Sequence, residues 1–162
     1  MRETRQSAGP KADRIMNSPG KDRGGSAAPF SVAGIALWED RFFIARRLPG
    51  GSLGGKWEFP GGKAEEGEGA EDALIREFQE EFSLPIRVGE ELGKSLFLHN
   101  GVERSLRAYR IYLDPGDPAH PPVLSDHAEW KWATLAEIEG LDFAPSDLGL
   151  LPALKAYLKT NP

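Results

Sequence analysis

Three glutamates carry the strongest chemical signal in the sequence. Glu77, Glu80 and Glu81 have the spacing i, i+3 and i+4, which places three carboxylates on one face of a helix. Like charges at this spacing repel one another by roughly 0.2–0.5 kcal/mol per pair on an isolated helix. A divalent cation would relieve that repulsion, and a set of oxygen ligands suits Mg²⁺ or Mn²⁺ rather than zinc or copper. The spacing alone also fits a solvated acidic face without a ligand.

A glycine-rich segment precedes these glutamates. Pro60-Gly61-Gly62-Lys63 allows the backbone to approach a ligand closely, although an ordinary turn has the same composition. The stretch from Gly62 to Leu84 holds eight acidic residues against two basic ones, whereas the whole chain has a net charge of only −5. This local concentration of acidic residues indicates a specific role for the segment.

The residues around the glutamates resemble the Nudix box. Six glycine or charged positions match that motif at fixed offsets over 23 residues: Gly62, Glu68, Arg76, Glu77, Glu80 and Glu81. Two positions depart from the pattern, because Phe78 replaces an aliphatic residue and Ser83 replaces the glycine that follows the helix. A positive φ at residue 83 would cost serine about 1 kcal/mol relative to glycine.

Three further segments are similar to the MutT-type branch of this family, the nucleoside triphosphate pyrophosphohydrolases. They are Phe42-Phe-Ile-Ala-Arg-Arg47, Trp57-Glu-Phe-Pro-Gly-Gly-Lys63 and Phe143-Ala-Pro-Ser-Asp147. The resemblance implies an α/β fold, an α/β/α sandwich around a mixed β-sheet, with the box as a loop–helix–loop. It also implies a Mg²⁺-dependent hydrolase (Mn²⁺ being a possible substitute) that splits a phosphoric anhydride bond. The expected reaction converts a nucleoside triphosphate, such as 8-oxo-dGTP, to a nucleoside monophosphate and pyrophosphate.

The resemblance assigns roles to residues of the box. Glu77, Glu80 and Glu81 match the metal-binding glutamates, with Glu77 also a candidate base. Arg76 matches an arginine that orients a glutamate, and we expect Glu68 to be its ion-pair partner. A plain surface salt bridge is the alternative for that pair.

Two more positions would complete the metal site. Gly61, with Gly62, would supply backbone contacts to metal or phosphate. Asp126 matches a position where family members often carry a glutamate that contacts metal or acts as base. An aspartate that caps a turn is the alternative, and Glu129 competes for the same role.

Substrate binding is assigned to four residues. Arg47 offers a guanidinium fork and Lys63 a point charge for phosphates, whereas Arg46 points to the other strand face. Phe59 would stack on a base unless it belongs to the core.

Asp147 matches an asparagine that reads the base. An ionised carboxylate only accepts hydrogen bonds, so it favours donors such as the cytosine amino group or the N–H pair of guanine. Capping a helix is the alternative role of Asp147.

Three other functions stay open at this point. The first is hydrolysis of CTP or a modified cytidine triphosphate, and the second is hydrolysis of ADP-ribose or a nucleotide sugar. The third is a Nudix-fold module that binds nucleotide without turnover. Because such modules usually lose glutamates of the box, the complete set here favours an enzyme.

Hydrophobic patterning predicts the elements that must position these residues. Apolar residues recur every four positions through Gly69–Phe82, which predicts an amphipathic helix. Thr134 and Glu137 have the spacing of a capping box, and Pro152 either begins or kinks a last helix. Strands are predicted at Ser31–Trp38, Arg41–Arg47, Lys56–Phe59, Ile86–Val88, Lys94–His99, Leu106–Leu113 and Trp130–Ala133.

Composition sets the remaining expectations. The 162 residues fit one domain, which we expect at 29–162 after a disordered tail at 1–28, with Met16 as an alternative start. The absence of cysteine excludes disulfides and cysteine-ligated metals. No apolar run approaches 20 residues, and the acidic balance argues against duplex nucleic acid, so we expect a cytoplasmic protein with neither membrane nor nucleic acid as partner. The oligomeric state stays open.

Overall fold

The computed structural model describes residues 28–113 and 122–162. The predicted disordered tail therefore lies outside the described residues, apart from residue 28. The strands within these ranges are β1 (Phe30–Trp38), β2 (Arg41–Arg47), β3 (Trp57–Glu58), β4 (Gly61–Lys63), β5 (Ile86–His99), β6 (Val102–Leu113) and β7 (His127–Thr134). The helices are α1 (Ala70–Phe82), α2 (Leu135–Glu139), α3 (Pro145–Leu148) and α4 (Leu151–Thr160).

The strands form a mixed sheet in the order β3-β2-β1-β6-β5. Strands β1 and β6 are parallel, and the other pairs are antiparallel, including β4 with β1 and β7 with β2. Alternation along the strands sends Phe42 to the core beneath α2 and α4, and Phe43 to the core beneath α1. The predicted α/β/α sandwich is therefore confirmed.

The helix predicted at Gly69–Phe82 is confirmed as α1, with Gly69 as its N-cap. Its apolar stripe is buried against the sheet, and Leu74, Phe78 and Phe82 are completely inaccessible. Ser83 ends the helix in the left-handed region at φ 52°, as its position after the helix predicts. The remaining carbonyls of the last turn are taken up by a distant segment, described below.

Strand β5 is longer than the sequence predicts. The two expected strands, Ile86–Val88 and Lys94–His99, form one strand with irregular pairing between them. Gly89 and Gly93 make this possible, because a β-carbon at Gly89 would lie 3.0 Å from the ring of Tyr112, and one at Gly93 would lie 2.6 Å from another side chain. Glycine thus permits a distorted but continuous strand where the sequence suggests a break.

Two predicted helix starts are resolved. Thr134 and Glu137 form the reciprocal capping box at α2, and Pro152 lies in the first turn of α4, which it begins rather than kinks. Among the described helices, none has both the length and the apolar character needed to cross a lipid bilayer.

Candidate active site

The three glutamates of α1 occupy different environments although they share one helix face. Glu80 is the most exposed, with 60% of its side chain accessible, whereas the Glu77 side chain is 13% accessible. Glu81 is buried at 8%, and its Oε2 atom has no hydrogen-bond partner among the residues that the structure describes. An unpartnered buried carboxylate oxygen is costly, so this atom marks a place where a ligand would stabilise the protein.

Burial raises the pKa of Glu81 to about 8, and the negative charges of Glu77, Glu58 and Asp126 add to the effect. Burial also raises the pKa of Glu77, where Arg76 acts in the opposite direction. Both shifts mean that ionisation of these carboxyl groups destabilises the folded protein. A bound cation would reverse that balance by favouring the ionised carboxylates.

Arg76 holds the first part of the cluster together. Its Nε and Nη2 atoms lie 2.8 and 2.9 Å from the two carboxylate oxygens of Glu68, which confirms the expected pair as a two-pronged contact. This contact lowers the pKa of Glu68 to about 2. The Nη1 atom of Arg76 also donates to Glu77 at 2.8 Å and to Glu80 at 3.3 Å. Arg76 therefore links the loop before α1 to the carboxylates on the helix.

The two glycines before the box have separate steric requirements. A β-carbon at Gly61 would lie 1.9 Å from the carbonyl oxygen of Val32, and one at Gly62 would lie 2.4 Å from Glu77 Oε1. Gly61–Lys63 pairs with β1 as strand β4, so the segment is more than the ordinary turn considered above. The Glu77 carboxylate lies directly against the Gly62 backbone.

The donor set fits a hard divalent cation, although the side chains are not arranged as a complete metal cage. Within residues 28–113 and 122–162, no group of three acidic or histidine side chains converges closely enough to hold a metal ion. The guanidinium of Arg76 lies between the Glu77 and Glu80 carboxylates instead. Glu77, Glu80 and the unpartnered Oε2 of Glu81 would supply the oxygen ligands that Mg²⁺ and Mn²⁺ prefer.

Asp126 is brought to the glutamates by a segment that covers the end of α1. Val123 N donates to Phe82 O at 3.0 Å, and Ser125 N donates to Glu81 O at 3.2 Å, so the helix carbonyls are satisfied by distant backbone. Asp126 follows as an exposed residue whose charge contributes to the raised pKa of Glu81. Its competitor Glu129 is paired with Arg46, at 2.8 Å.

The structure adds two buried residues that the sequence analysis did not select, Glu58 and His127. Glu58 is 8% exposed, and its Oε1 atom lies 2.8 Å from His127 Nε2 and 3.2 Å from Arg47 Nη1. The extended pattern places Glu58 opposite Trp57 and Phe59, yet all three are buried. A glutamate inside an apolar run was the signal for Glu58, whereas nothing local distinguishes His127.

A cleft of about 260 Å³ lies beside these residues. Phe59 and Lys63 line it, together with the β5–β6 hairpin through Phe97, His99 and Arg104. The backbone of Gly61 and Gly62 lines it as well, as do Ser31, Val32, Leu53, Glu58, Leu106 and Ser146. The lining thus includes apolar and aromatic side chains. It also includes Gly62, whose backbone lies against the Glu77 carboxylate.

Asp147 lies behind the cleft wall rather than among its lining residues. Its Oδ1 accepts a hydrogen bond from Phe59 N at 2.9 Å, and its Oδ2 accepts one from Ser146 Oγ at 2.8 Å. Burial raises its pKa to about 7, and the charge of Glu58 adds to the shift. The helix-capping role is wrong, because Ala144 is the N-cap of α3 and no side chain caps that helix.

Comparison with known proteins gives consistent matches. The model of the NUDIX domain family matches residues 28–154. A Mycobacterium tuberculosis protein named putative 8-oxo-dGTP diphosphatase 2 is 37% identical over 130 residues, covering 78% of this chain and 88% of that protein. The CTP pyrophosphohydrolase of Escherichia coli is 30% identical over 132 residues, covering 81% and 94% of the two chains. The solution structure of the E. coli ORF135 protein superposes with a TM-score of 0.71 at 27% identity, covering 83% of this chain and 93% of the other.

Proposed function

Because this chain belongs to the Nudix family of hydrolases, we propose that it hydrolyses a nucleoside triphosphate to a nucleoside monophosphate and pyrophosphate. The observation that carries the proposal is the buried, unpartnered Oε2 of Glu81 beside the Glu77 carboxylate. Mg²⁺, or Mn²⁺ in its place, would be held by Glu77, Glu80 and Glu81, with the backbone of Gly61 as a further contact. The ion would neutralise phosphate charge and lower the pKa of a bound water.

The chain's own residues position the polyphosphate and accept a proton. The Arg47 guanidinium, 39% exposed while it contacts Glu58, and the exposed Lys63 amine bind phosphate oxygens. Asp126, exposed beside Glu81, accepts the proton of the attacking water, with Glu77 as the alternative base. The water oxygen bonds to phosphorus as the α–β anhydride P–O bond breaks, so the monophosphate and pyrophosphate separate.

The proposal includes 8-oxo-dGTP as the substrate, in keeping with the name of the M. tuberculosis relative. Phe59 is buried, with its ring packed edge-on against Phe42 and Phe143, and so belongs to the core. The less buried lining residues Leu53 and Phe97 offer the apolar surface for a flat nucleobase. The biological role in this proposal is removal of oxidised nucleotides from the pool. A cytoplasmic location belongs to the same proposal, since the substrate is a soluble nucleotide.

CTP or a modified cytidine triphosphate is the second candidate. The lining residue Glu58 presents a hydrogen-bond acceptor to the cleft, which suits the amino group of cytosine. Asp147 adds a second carboxylate directly behind Phe59, where it accepts from Phe59 N and Ser146 Oγ. The E. coli relative named CTP pyrophosphohydrolase supports this candidate. A hydrolysis screen over canonical, oxidised and methylated triphosphates with Mg²⁺ separates the two substrates.

Glu80→Gln tests the proposed reaction. Glu80 is exposed, so the fold should survive, whereas pyrophosphate release should fall by about 10³-fold because a metal ligand is lost. Glu71→Gln, on an exposed position of the same helix, is the matched control and should keep wild-type turnover. Unchanged turnover in Glu80→Gln would remove the metal role.

The same assay separates the remaining alternatives. Release of inorganic pyrophosphate requires triphosphate cleavage, so an enzyme for ADP-ribose or nucleotide sugars would release none. Nucleotide binding by calorimetry without hydrolysis under saturating Mg²⁺ would instead identify a binding module.

A further inference from the structure

His127 is a fully buried polar residue to which the proposed reaction gives no role. Its side chain has 0% exposure, and its ring stacks on Phe82 with centroids 4.9 Å apart and planes inclined by 22°. Nε2 lies 2.8 Å from Glu58 Oε1, whereas Nδ1 is buried without a partner. A carboxylate oxygen accepts and cannot donate, so the imidazole carries its proton on Nε2. Within the described residues, the contact to Glu58 is therefore the one hydrogen bond of the imidazole ring.

The backbone fixes this contact from three sides. His127 is paired with Arg47 across β7 and β2, just past an irregularity in the register between Arg46 and Arg47. Glu58 comes from β3, the neighbour of β2 on the other side. Phe82, on which the imidazole stacks, is the last residue of α1 and directly follows Glu81. The imidazole thus connects the end of the catalytic helix to the Glu58 carboxylate.

Glu58 needs such a partner. It lines the cleft although it is 8% exposed, and its charge acts on both Glu81 and Asp147. Both internal donors, His127 Nε2 and Arg47 Nη1, contact the same oxygen, Oε1. The second oxygen, Oε2, takes neither contact. A carboxylate anchored through one oxygen can offer the other to a ligand in a fixed direction.

We propose that His127 is a positioning residue, whose Nε2–H holds Glu58 so that this carboxylate accepts a hydrogen bond from an N–H or O–H group of the bound nucleotide. The proposal rests on the proposed function for the identity of the ligand. His127 itself does not touch the nucleotide, and it acts through Glu58. Arg47 is the second anchor, because its Nη1 atom contacts the same Glu58 oxygen at 3.2 Å.

The first test is spectroscopic and needs neither substrate nor metal. Nitrogen-detected NMR of the wild-type protein should show His127 as a single tautomer, protonated at Nε2 and bare at Nδ1. His99, exposed at the β5–β6 hairpin, provides the internal control for a solvated imidazole. A His127 signal protonated at Nδ1, or exchanging between tautomers, would overturn the proposal.

The second test is binding of a nucleoside monophosphate product, measured by calorimetry without metal. His127→Phe keeps an aromatic ring on Phe82 and removes the donor, so affinity should fall about tenfold. His127→Gln retains an N–H donor at the same reach and should recover most of that loss. Equal affinity in His127→Phe and wild type, or an equal loss in both folded variants, would overturn the proposal.

A double-mutant cycle distinguishes positioning from general support of the fold. If His127 acts through Glu58, His127→Phe should cost no further affinity once Glu58→Gln is present, whereas independent effects would add. Additive losses would therefore contradict the proposal. Pyrophosphate release by the wild type separates this proposal from the proposed function. If no triphosphate in the screen releases pyrophosphate, the proposed function is rejected. The tautomer of His127 and the binding of the nucleoside monophosphate still test the role of His127.

Discussion

The carboxylate of Glu77 lies against the backbone of Gly62 so closely that a β-carbon at residue 62 would stand 2.4 Å from Glu77 Oε1. The loop before α1 and the first half of that helix separate the two residues in the sequence. The position of the Glu77 carboxylate nevertheless requires glycine at residue 62. Arg76 Nη1 donates to the same oxygen, Glu77 Oε1, at 2.8 Å.

Gly62→Ala should displace the Glu77 carboxylate and lower kcat by about 10²-fold, since a shift near 1 Å in a catalytic constellation has that effect. Gly69→Ala is the matched control, because a β-carbon there meets only Asp72 Oδ2, at 3.8 Å. Pyrophosphate release and thermal unfolding of both variants provide the measurement. A fully active Gly62→Ala enzyme would show that the Glu77 position is not critical.

Glu68→Gln should flatten the acid side of the stability profile. The contact with Arg76 lowers the pKa of Glu68 from 4.5 to about 2, so the folded protein holds this proton less tightly than the unfolded chain. The stabilisation is therefore present above pH 4.5 and is lost as pH falls towards 2. Urea unfolding between these pH values should show a smaller loss in Glu68→Gln than in wild type, with the exposed Glu71→Gln behaving as wild type.

Glu81→Gln should make the metal-free protein more stable at alkaline pH. The pKa of Glu81 is raised from 4.5 to about 8, so the folded state binds this proton more tightly and wild-type stability falls as pH rises between those values. Glutamine avoids the buried charge and should add on the order of 1–3 kcal/mol at pH 9 in EDTA.

Adding Mg²⁺ should reverse the order of these two proteins. Wild type gains about 2.7 kcal/mol when Mg²⁺ exceeds its Kd 100-fold, whereas Glu81→Gln should gain much less and should release no pyrophosphate. Denaturant titrations with and without Mg²⁺ check both statements. A variant that Mg²⁺ stabilises as strongly as wild type would contradict a ligand role for Glu81.

Asp147→Asn should change base preference with little effect on catalysis of the best substrate. The amide keeps an acceptor for Phe59 N and places N–H donors where the Oδ2 atom accepts from Ser146 Oγ. The ratio of kcat/KM for CTP to that for 8-oxo-dGTP should fall by about tenfold, the effect of one hydrogen bond. Asp142→Asn, an exposed carboxylate paired with Lys56, is the control. An unaltered ratio would leave Asp147 with only its structural role, as acceptor of the bonds from Phe59 N and Ser146 Oγ.

Local sequence pattern was sufficient to predict α1 and the face that carries its glutamates. A four-residue apolar repeat defines the buried face, and the carboxylates follow from the helical period. The left-handed conformation of Ser83 was anticipated from the family resemblance instead, because the matching position after the helix usually carries glycine.

Contacts between distant segments were not predictable in the same way. Glu58 and His127 are 69 positions apart and meet only because β2 has β3 on one side and β7 on the other. The place of Asp147 behind the cleft wall depends on its hydrogen bond from Phe59 N, 88 positions away. A helical period carries no information about such pairings, because they depend on strand order.

The contact of Gly61 with Val32 determines which side of the cleft can adapt. No atom fits between the two backbones, and Val32 is 1% exposed at the centre of the sheet. The Gly61 end of the cleft is therefore rigid, and under the proposed function nucleobases of different size would be accommodated where the β5–β6 hairpin lines the cleft. The outward residues of that hairpin, Leu96 and Leu98, are 65% and 74% accessible, so no tightly packed layer covers its outer face within the described residues.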